Sequence, residues 1–184
     1  MTDAVLLLGD PRLRAACAAV SDFADPGLAA DRARLMRALE EFRAEKGFGR
    51  GIAAPQIGIP RRLVALDLGE GALCLANPRI TWRSEERFSL WDDCMSFPDL
   101  LVRLYRHESL SLAYEDEGGS TREWPKLERS LAELLQHEID HLDGILAIDR
   151  AEGREGIVYR QAFEANRPYF EAQVDYPIAP TAKP

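Results

Sequence analysis

The sequence predicts an α+β fold whose strands pair in antiparallel fashion, and three observations lead to that class. The stretch Leu131-Ala132-Glu133-Leu134-Leu135 has the composition of a helix. Several short runs between residues 62 and 114 have strand-like composition and are separated by turn residues such as Asn77-Pro78. Because these helices and strands do not alternate in the βαβ rhythm of a parallel sheet, we expect antiparallel pairing.

The first part of the chain predicts an extended arm, a turn and one long helix. Val5-Leu6-Leu7-Leu8 is a short apolar run, and residues 10–14 follow it as a turn. After the breaker Asp25-Pro26-Gly27, a helix is predicted over residues 31–46. Residues 47–51 end that helix in a glycine-rich loop. The apolar stripe of the helix consists of Leu28, Leu35, Leu39 and Phe42.

Five strands and two further helices are predicted for the rest of the chain. The second helix is expected to begin near Glu128 or Ser130 and to end at Asp143-Gly144, where the glycine can take the left-handed conformation. A last helix is predicted over residues 155–166. The strands are predicted over residues 62–68, 73–76, 79–83, 101–105 and 109–114.

Length and composition suit one globular domain and exclude several functional classes. The 184 residues can build a hydrophobic core, and we expect one domain over residues 1–175 and a flexible, proline-rich tail over residues 176–184. A formal net charge of −8 argues against general nucleic-acid binding. No signal-peptide pattern and no long apolar segment is found, so no membrane association is expected. Three cysteines without a disulfide pattern fit a reducing cytoplasm.

The most informative motif is a pair of histidines with a glutamate between them. His137 and His141 are four residues apart, so on a helix they lie on one face and can contact one metal ion. Glu138 would then be placed to act on a water near that ion. A histidine pair also occurs on helices as an ordinary surface or core pair, and the motif by itself leaves the third ligand open.

A third protein ligand should carry sulfur or imidazole and come from a separate element. His107 is the remaining histidine of the sequence. Among the cysteines, Cys94 is the better candidate, because it lies in a turn that has polar residues before it and apolar residues after it. Cys17 and Cys74 lie in apolar surroundings and are predicted to be buried packing residues.

Three blocks of the sequence resemble, in the same order, the three motifs of the peptide deformylase family. The blocks are Gly49-Arg50-Gly51-Ile52-Ala53-Ala54-Pro55-Gln56, Asp92-Asp93-Cys94-Met95-Ser96 and Gln136-His137-Glu138-Ile139-Asp140-His141. The similarity extends over about residues 5–150. It implies an α+β fold of antiparallel sheets packed around a central metal-binding helix, in a single catalytic domain.

The resemblance implies a catalytic metal held by Cys94, His137 and His141, with one coordination position open to water. A metal in such a site lowers the pKa of its water toward neutrality. Glu138 would take the proton of that water and later pass it to the leaving amine. The family metal is usually Fe²⁺, which Zn²⁺, Ni²⁺ or Co²⁺ can replace.

The family reaction removes the N-formyl group from the initiator methionine of a nascent peptide, and the resemblance assigns further residues to it. Gln56 and the backbone N–H of Met95 would stabilise the oxyanion. Gly51 and Ile52 would contact the substrate, and Gly51 would allow its backbone to approach closely. Family enzymes meet this substrate at the ribosome, although this sequence shows no basic face for docking there.

The second motif departs from the family pattern at two positions. Asp93 replaces a glycine; if the backbone there is left-handed, aspartate tolerates it better than most residues do. Asp92 replaces a glutamate, and Arg106 falls where the family has an arginine paired with that carboxylate. An Asp92–Arg106 ion pair and two separate solvated charges are equally open interpretations.

Two charged residues depart from the family pattern near its methionine side-chain pocket. Arg50 replaces an aliphatic residue, and Glu133 lies one helical turn before His137. We hypothesise that these substrate-binding positions approach each other and make the pocket more polar or fill part of it; the alternative is that both point to solvent. Two other functions therefore stay open: hydrolysis of a different formamide or small amide, and a silent module that binds peptide.

Overall fold

The computed structural model describes residues 4–69 and 71–177, which form helices and two antiparallel sheets. The helices are α1 (Pro26–Lys46), α2 (Arg129–Leu142), α3 (Arg160–Ala165) and α4 (Arg167–Glu171). The strands are β1 (Gly51–Ala53), β2 (Leu63–Asp67), β3 (Ala72–Arg83), β4 (Arg87–Asp93), β5 (Leu100–His107), β6 (Leu110–Glu115), β7 (Thr121–Leu127) and β8 (Ile157–Tyr159).

The larger sheet has the strand order β1-β2-β3-β6-β7, and the smaller one has the order β4-β5-β8. Every pair of neighbouring strands in both sheets is antiparallel. The predicted α+β class with antiparallel sheets is therefore confirmed. None of the described helices combines the length and the apolar character that crossing a bilayer requires.

Helix α2 lies at the centre of the molecule, and every residue from Ala132 to Leu142 is buried. One face carries Leu135, Ile139 and Leu142, which pack with apolar side chains of the larger sheet. The helix also contacts β5 of the smaller sheet. Because α2 packs between both sheets, its polar side chains lie inside the protein, where each needs a partner or a function.

Helix α1 begins at Pro26, five residues before the predicted start. The residues interpreted as a breaker form its N-terminus: Asp25 accepts a hydrogen bond from Gly27 N at 2.8 Å, and Pro26 takes the first helical position. Proline is favoured there because its missing N–H would have no partner in the helix. The helix ends as predicted at Lys46, with Gly47 in the left-handed conformation.

Several strands differ from the sequence prediction. Strand β3 continues through Asn77-Pro78, where the pairing with β6 shifts register and Asn77 has a φ of 48°. Strand β4 was not predicted, because only Arg87-Phe88-Ser89-Leu90 alternates between polar and apolar residues and Trp91-Asp92-Asp93 was interpreted as part of the turn before Cys94. Strand β7 was missed because Pro125 argues against a strand, yet proline is tolerated on this edge.

The C-terminal part differs most from the predicted single helix over residues 155–166. Within this range Ile157–Tyr159 form β8, which extends the smaller sheet along β5, and two short helices follow. The Tyr176 ring packs edge-on against Phe88 with centroids 5.5 Å apart, so the chain is still packed at residue 176, where the tail was expected to begin. The rest of the predicted tail, residues 178–184, lies outside the described residues.

Candidate metal centre

Three predicted ligands meet at one end of the space between α2 and β4. His137 and His141 project from the same face of α2, and their Nε2 atoms are 3.2 Å apart. Cys94 follows β4 directly, and its Sγ lies 3.3 Å from His141 Nε2. The three ligand atoms lie within 4.8 Å of one another. The alternative ligand His107 lies elsewhere, because its Nδ1 is 2.6 Å from the backbone oxygen of Ser84.

Asp92 fixes the orientation of His137. Its Oδ2 lies 3.0 Å from His137 Nδ1, which leaves Nε2 directed at the other two ligand atoms. Arg106 donates to Asp92 at 3.1 Å and to Asp140 at 2.5 Å. Burial acts to raise the pKa of Asp92, but the charges and hydrogen bonds of His137 and Arg106 outweigh it and hold that pKa well below its usual value.

The ion pair proposed between Asp92 and Arg106 is therefore present, and both side chains are buried. The interpretation as two separate solvated charges is wrong. The reason is topological: the antiparallel pairing of β4 with β5 places both residues on neighbouring strands beside α2. Two charges brought together inside the protein need each other as partners.

The donor set fits one divalent cation. Burial holds the pKa of His141 well below its usual value, so this imidazole is neutral and can act as a ligand. Burial raises the pKa of the Cys94 thiol, so a thiolate there requires a cation beside it. Two imidazole nitrogens and one sulfur that converge in this way suit Fe²⁺ or Zn²⁺.

The other two cysteines are not part of the site. Cys17 and Cys74 are free and buried, which confirms that they are packing residues. Burial raises the pKa of each thiol to about 11, so both remain protonated at neutral pH.

Glu138 lies beside the three ligands and retains an unused acceptor. Its carboxyl is buried, and within the described part of the chain its Oε2 has no hydrogen-bond partner. Burial raises its pKa to about 7, which suits a group that accepts and returns a proton near neutrality. A Cβ at Gly51 would lie 2.9 Å from Glu138 Oε1, so a glycine is needed there for the carboxylate to reach this position.

Gln56 also borders the site. Its Oε1 accepts a hydrogen bond from Ala53 N at 2.9 Å, which fixes the amide orientation. Its Nε2 then lies 3.2 Å from Ser96 Oγ and 3.7 Å from Cys94 Sγ. Met95 follows Cys94, and its side chain packs under the glycine loop, where a Cβ at Gly49 would lie 2.3 Å from Met95 Cε.

The side chain of Ile52 points away from the cavity. Side chains alternate along β1: Gly51 and Ala53 face α2, whereas Ile52 is fully buried in the cluster that α1 forms with the larger sheet. Its side chain does not line the cavity beside the metal ligands. A contact of Ile52 with substrate would therefore involve its backbone.

Arg50 and Glu133 form the ion pair that the sequence suggested, so the alternative in which both point to solvent is wrong. Glu133 is 2% exposed and Arg50 is 23% exposed. Arg50 Nη1 also donates to the backbone oxygen of Ser130 at 3.0 Å and to its Oγ at 3.1 Å. These contacts link the glycine loop to the first turn of α2.

A cavity of about 180 Å³ opens beside the ligands, and one of its walls was not predicted. This wall comes from the C-terminal segment, defined here as residues 157–177. Arg160 donates to Asp93 at 2.9 Å, and its guanidinium lies over the Phe48 ring. Within the described ranges, Asp93 does not have a positive φ, so aspartate is not needed there to tolerate a left-handed backbone. The other residues of this wall are Phe163, Glu164, Arg167, Glu171, Val174 and Pro177.

No pattern in the sequence links these C-terminal residues to the site. From Arg160 to Pro177 they recur every three or four residues, which is the spacing of one helix face, but this spacing does not indicate what the face packs against. Their contact with the cavity follows from the pairing of β8, which directly precedes them, with β5.

Comparison with known proteins decides the family. The model of the family described as polypeptide deformylase matches residues 2–156. The chain belongs to the polypeptide deformylase family. A peptide deformylase of Thermotoga neapolitana is 33% identical over 157 residues, which are 85% of this chain and 92% of that protein. Members of the family are metallohydrolases that use a divalent metal, and the site described above fits one.

Solved structures of the family have the same fold. The crystal structure of a peptide deformylase from Thermotoga maritima is similar with a TM-score of 0.73 and 33% identity, over 81% of this chain and 97% of that one. That of a peptide deformylase from Synechococcus elongatus in complex with actinonin gives a TM-score of 0.73 and 32% identity, over 82% and 79%. The C-terminal segment begins after residue 156, where the family match ends.

Proposed function

We propose that this chain removes the N-formyl group from the initiator methionine of nascent peptides, giving formate and a free amine. The observation that carries the proposal is the convergence of Cys94, His137 and His141 beside Glu138, a buried carboxylate with an unused oxygen. Family membership supports the same reaction.

We propose Fe²⁺ as the resident metal, held by Cys94, His137 and His141, with Zn²⁺, Ni²⁺ or Co²⁺ able to replace it. Two imidazoles and a thiolate can bind all of these ions. The donor set therefore supports a divalent metal site, and the choice of Fe²⁺ comes from the family. When bound, the cation polarises the formyl carbonyl and lowers the pKa of water beside it.

Glu138 holds the proton that the reaction moves. It takes this proton from the attacking water on its free Oε2 and returns it to the departing amine. A carboxyl with a pKa of about 7 can do both near neutral pH, because neither protonation state is strongly favoured. Gly51 contributes by leaving space for this carboxylate.

Gln56 and Met95 stabilise the negative charge that develops on the formyl oxygen. The Gln56 amide is held by Ala53 with its Nε2 beside Cys94, so a donor is oriented toward the site before substrate arrives. The backbone N–H of Met95 belongs to the turn that follows Cys94 and supplies the second donor. Donors fixed in advance avoid the cost of reorganisation during the reaction.

The partner of this chain is the formylated nascent peptide. We propose that the chain meets it in the cytoplasm, where such peptides emerge from the ribosome. Direct docking on the ribosome is a separate part of this proposal, and the net charge of −8 requires that any such contact be local rather than a general attraction to RNA.

The proposal predicts that Glu138→Gln abolishes most turnover and leaves the metal in place. The protein is purified anaerobically, its metal content is measured, and formate release from formyl-Met-Ala-Ser is followed. Losing the proton acceptor should reduce kcat by about 10²–10⁴-fold, the usual contribution of such a group.

Glu123→Gln is the matched control, since Glu123 is exposed on β7, away from the cavity. It should retain full activity. Formate release by Glu138→Gln at the rate of the unchanged protein would contradict the proposed role, and bound metal without any turnover by the unchanged protein would favour a silent binding module.

A further inference from the structure

The ion pair between Arg50 and Glu133 lies in the cavity wall beside the reacting groups. Both side chains line the cavity together with Glu138 and His137. Arg50 immediately precedes Gly51, the residue that borders Glu138. On α2, Glu133 precedes His137 by four residues, which is about 6 Å along the helix axis.

This position brings the pair close to the first side chain of a substrate. A formamide carbon placed beside Glu138 is bonded through nitrogen to the carbon that carries this side chain. The side chain then lies a few ångströms from the reacting centre, where the wall formed by β1 and α2 presents the guanidinium of Arg50. Glu133 pairs with that guanidinium and is almost fully buried.

The chemistry of this wall disfavours a long apolar side chain. A buried hydrocarbon wall would gain free energy by covering such a side chain, whereas a guanidinium that loses water without gaining an acceptor is penalised. Arg50 already donates to Glu133 and Ser130, which holds it in place and prevents it from withdrawing into solvent. A short side chain leaves water beside Arg50, and a hydroxyl offers it an acceptor.

We propose that the Arg50–Glu133 ion pair determines substrate specificity by lowering the preference for methionine over short polar side chains next to the formyl group. This inference rests on the proposed function, because it concerns the same cavity. Formyl-methionine remains a substrate, but the ratio of kcat/KM for methionine over that for short polar side chains is smaller.

The test replaces both charges by aliphatic residues in Arg50→Val/Glu133→Ile. Both must change together, because a buried Glu133 without its partner would destabilise the protein. For each protein, kcat/KM is measured with formyl-Met-Ala-Ser and with formyl-Ser-Ala-Ser. The ratio of the two values, methionine over serine, should rise at least tenfold in the double variant.

A control removes another ion pair, in which the arginine is about as exposed as Arg50 and neither residue lines the cavity. Arg43→Leu/Asp67→Val serves for this, since Arg43 pairs with Asp67 between α1 and the end of β2. Its ratio should equal that of the unchanged protein. If the aliphatic variant does not fold, Arg50→Gln/Glu133→Gln removes the charges at similar volume and should raise the ratio by a smaller factor.

An unchanged ratio in the folded double variant would overturn the proposal. So would a ratio that responds instead to Phe163→Ala, because the side chain would then face the C-terminal segment. Binding of the product peptides Met-Ala-Ser and Ser-Ala-Ser, measured by calorimetry, gives the same comparison without turnover. If no formylated peptide is hydrolysed, the proposed function fails, and the ratio of product affinities still decides on the ion pair.

Discussion

At the scale of single residues, Arg106 connects the helix that carries two candidate metal ligands to the smaller sheet. It is buried and donates to both Asp92 and Asp140. Asp92 in turn orients His137, and Asp140 also accepts two hydrogen bonds from Arg150 at 2.7 and 2.5 Å. A ligand on α2 is thus tied to strands of the smaller sheet through one guanidinium.

We predict that Arg106→Ala destabilises the protein and weakens metal binding. Removing this cation leaves Asp92 and Asp140 as buried carboxylates that lack one of their partners, a change that costs about 3–5 kcal/mol in comparable cases. The free energy of unfolding is measured by urea denaturation, and the metal content by elemental analysis.

Arg122→Ala is the control for this prediction. Arg122 pairs with Asp116 on the surface and is 58% exposed, so its loss should cost less than about 1 kcal/mol. Equal unfolding free energies for Arg106→Ala and the unchanged protein, with full metal content, would show that the network does not support the site.

At the scale of secondary-structure elements, the C-terminal segment closes one side of the cavity through an aromatic cluster. Trp91 on β4 packs edge-on against Phe163 and Phe170, with centroids 6.0 and 5.5 Å apart. Trp91 Nε1 also donates to the backbone oxygen of Phe170 at 2.8 Å. Two helices too short to be stable alone are held in place by these contacts.

We predict that Phe163→Ala loosens the C-terminal segment and leaves the rest of the fold intact. The buried ring leaves a cavity against Trp91, and such truncations cost about 3–5 kcal/mol where the surroundings cannot collapse. KM for formyl-Met-Ala-Ser should rise, because this residue lines the cavity, while the metal content stays unchanged.

Tryptophan fluorescence reports the change in packing around Trp91, and the urea midpoint reports the stability of the whole fold. Gln161→Ala is the control, because Gln161 is exposed on the same segment and does not line the cavity, so it should change neither the fluorescence nor the urea midpoint. A KM identical to that of the unchanged protein would mean that this wall does not contact the substrate.

At the scale of the whole molecule, the ligands come from different layers of the fold. His137 and His141 belong to the central helix, whereas Cys94 follows a strand of the smaller sheet. One cation bound by all three would therefore connect the helix to that sheet. A ligand that binds the folded state alone stabilises it by mass action.

We predict that removal of the metal by a chelator lowers the midpoint of thermal unfolding. At a free metal concentration 1,000 times the dissociation constant, bound metal contributes about 4 kcal/mol to the free energy of unfolding. The midpoint is measured by calorimetry with and without metal, and Cys94→Ser should lose most of the difference.

Cys17→Ser is the matched control. It changes another buried cysteine that is not one of the three ligands, so the metal-dependent difference should remain. A midpoint that is the same with and without metal in the unchanged protein would contradict the assigned site.

The sequence alone determined the features that depend on local spacing. Two histidines four residues apart in a helical stretch must share a face, and turn residues between short apolar runs favour antiparallel pairing. The three motifs in their order also selected the family, which the comparisons confirmed. The charge pairs Asp92–Arg106 and Arg50–Glu133 could also be proposed, because Asp92 and Arg50 lie within the motifs. Their partners were suggested by family position for Arg106 and by helical spacing from His137 for Glu133.

Only the tertiary structure decided which distant residues meet. It placed Cys94 rather than His107 at the histidines, directed Ile52 toward α1, and brought residues of the C-terminal segment to the cavity. These contacts depend on strand register and on which face of each strand is buried. A register shift of one residue would move every side chain of that strand to the other face of the sheet. Spacing along a helix is set by the geometry of the helix itself, whereas the pairing of separate strands is set by the packing of the whole molecule.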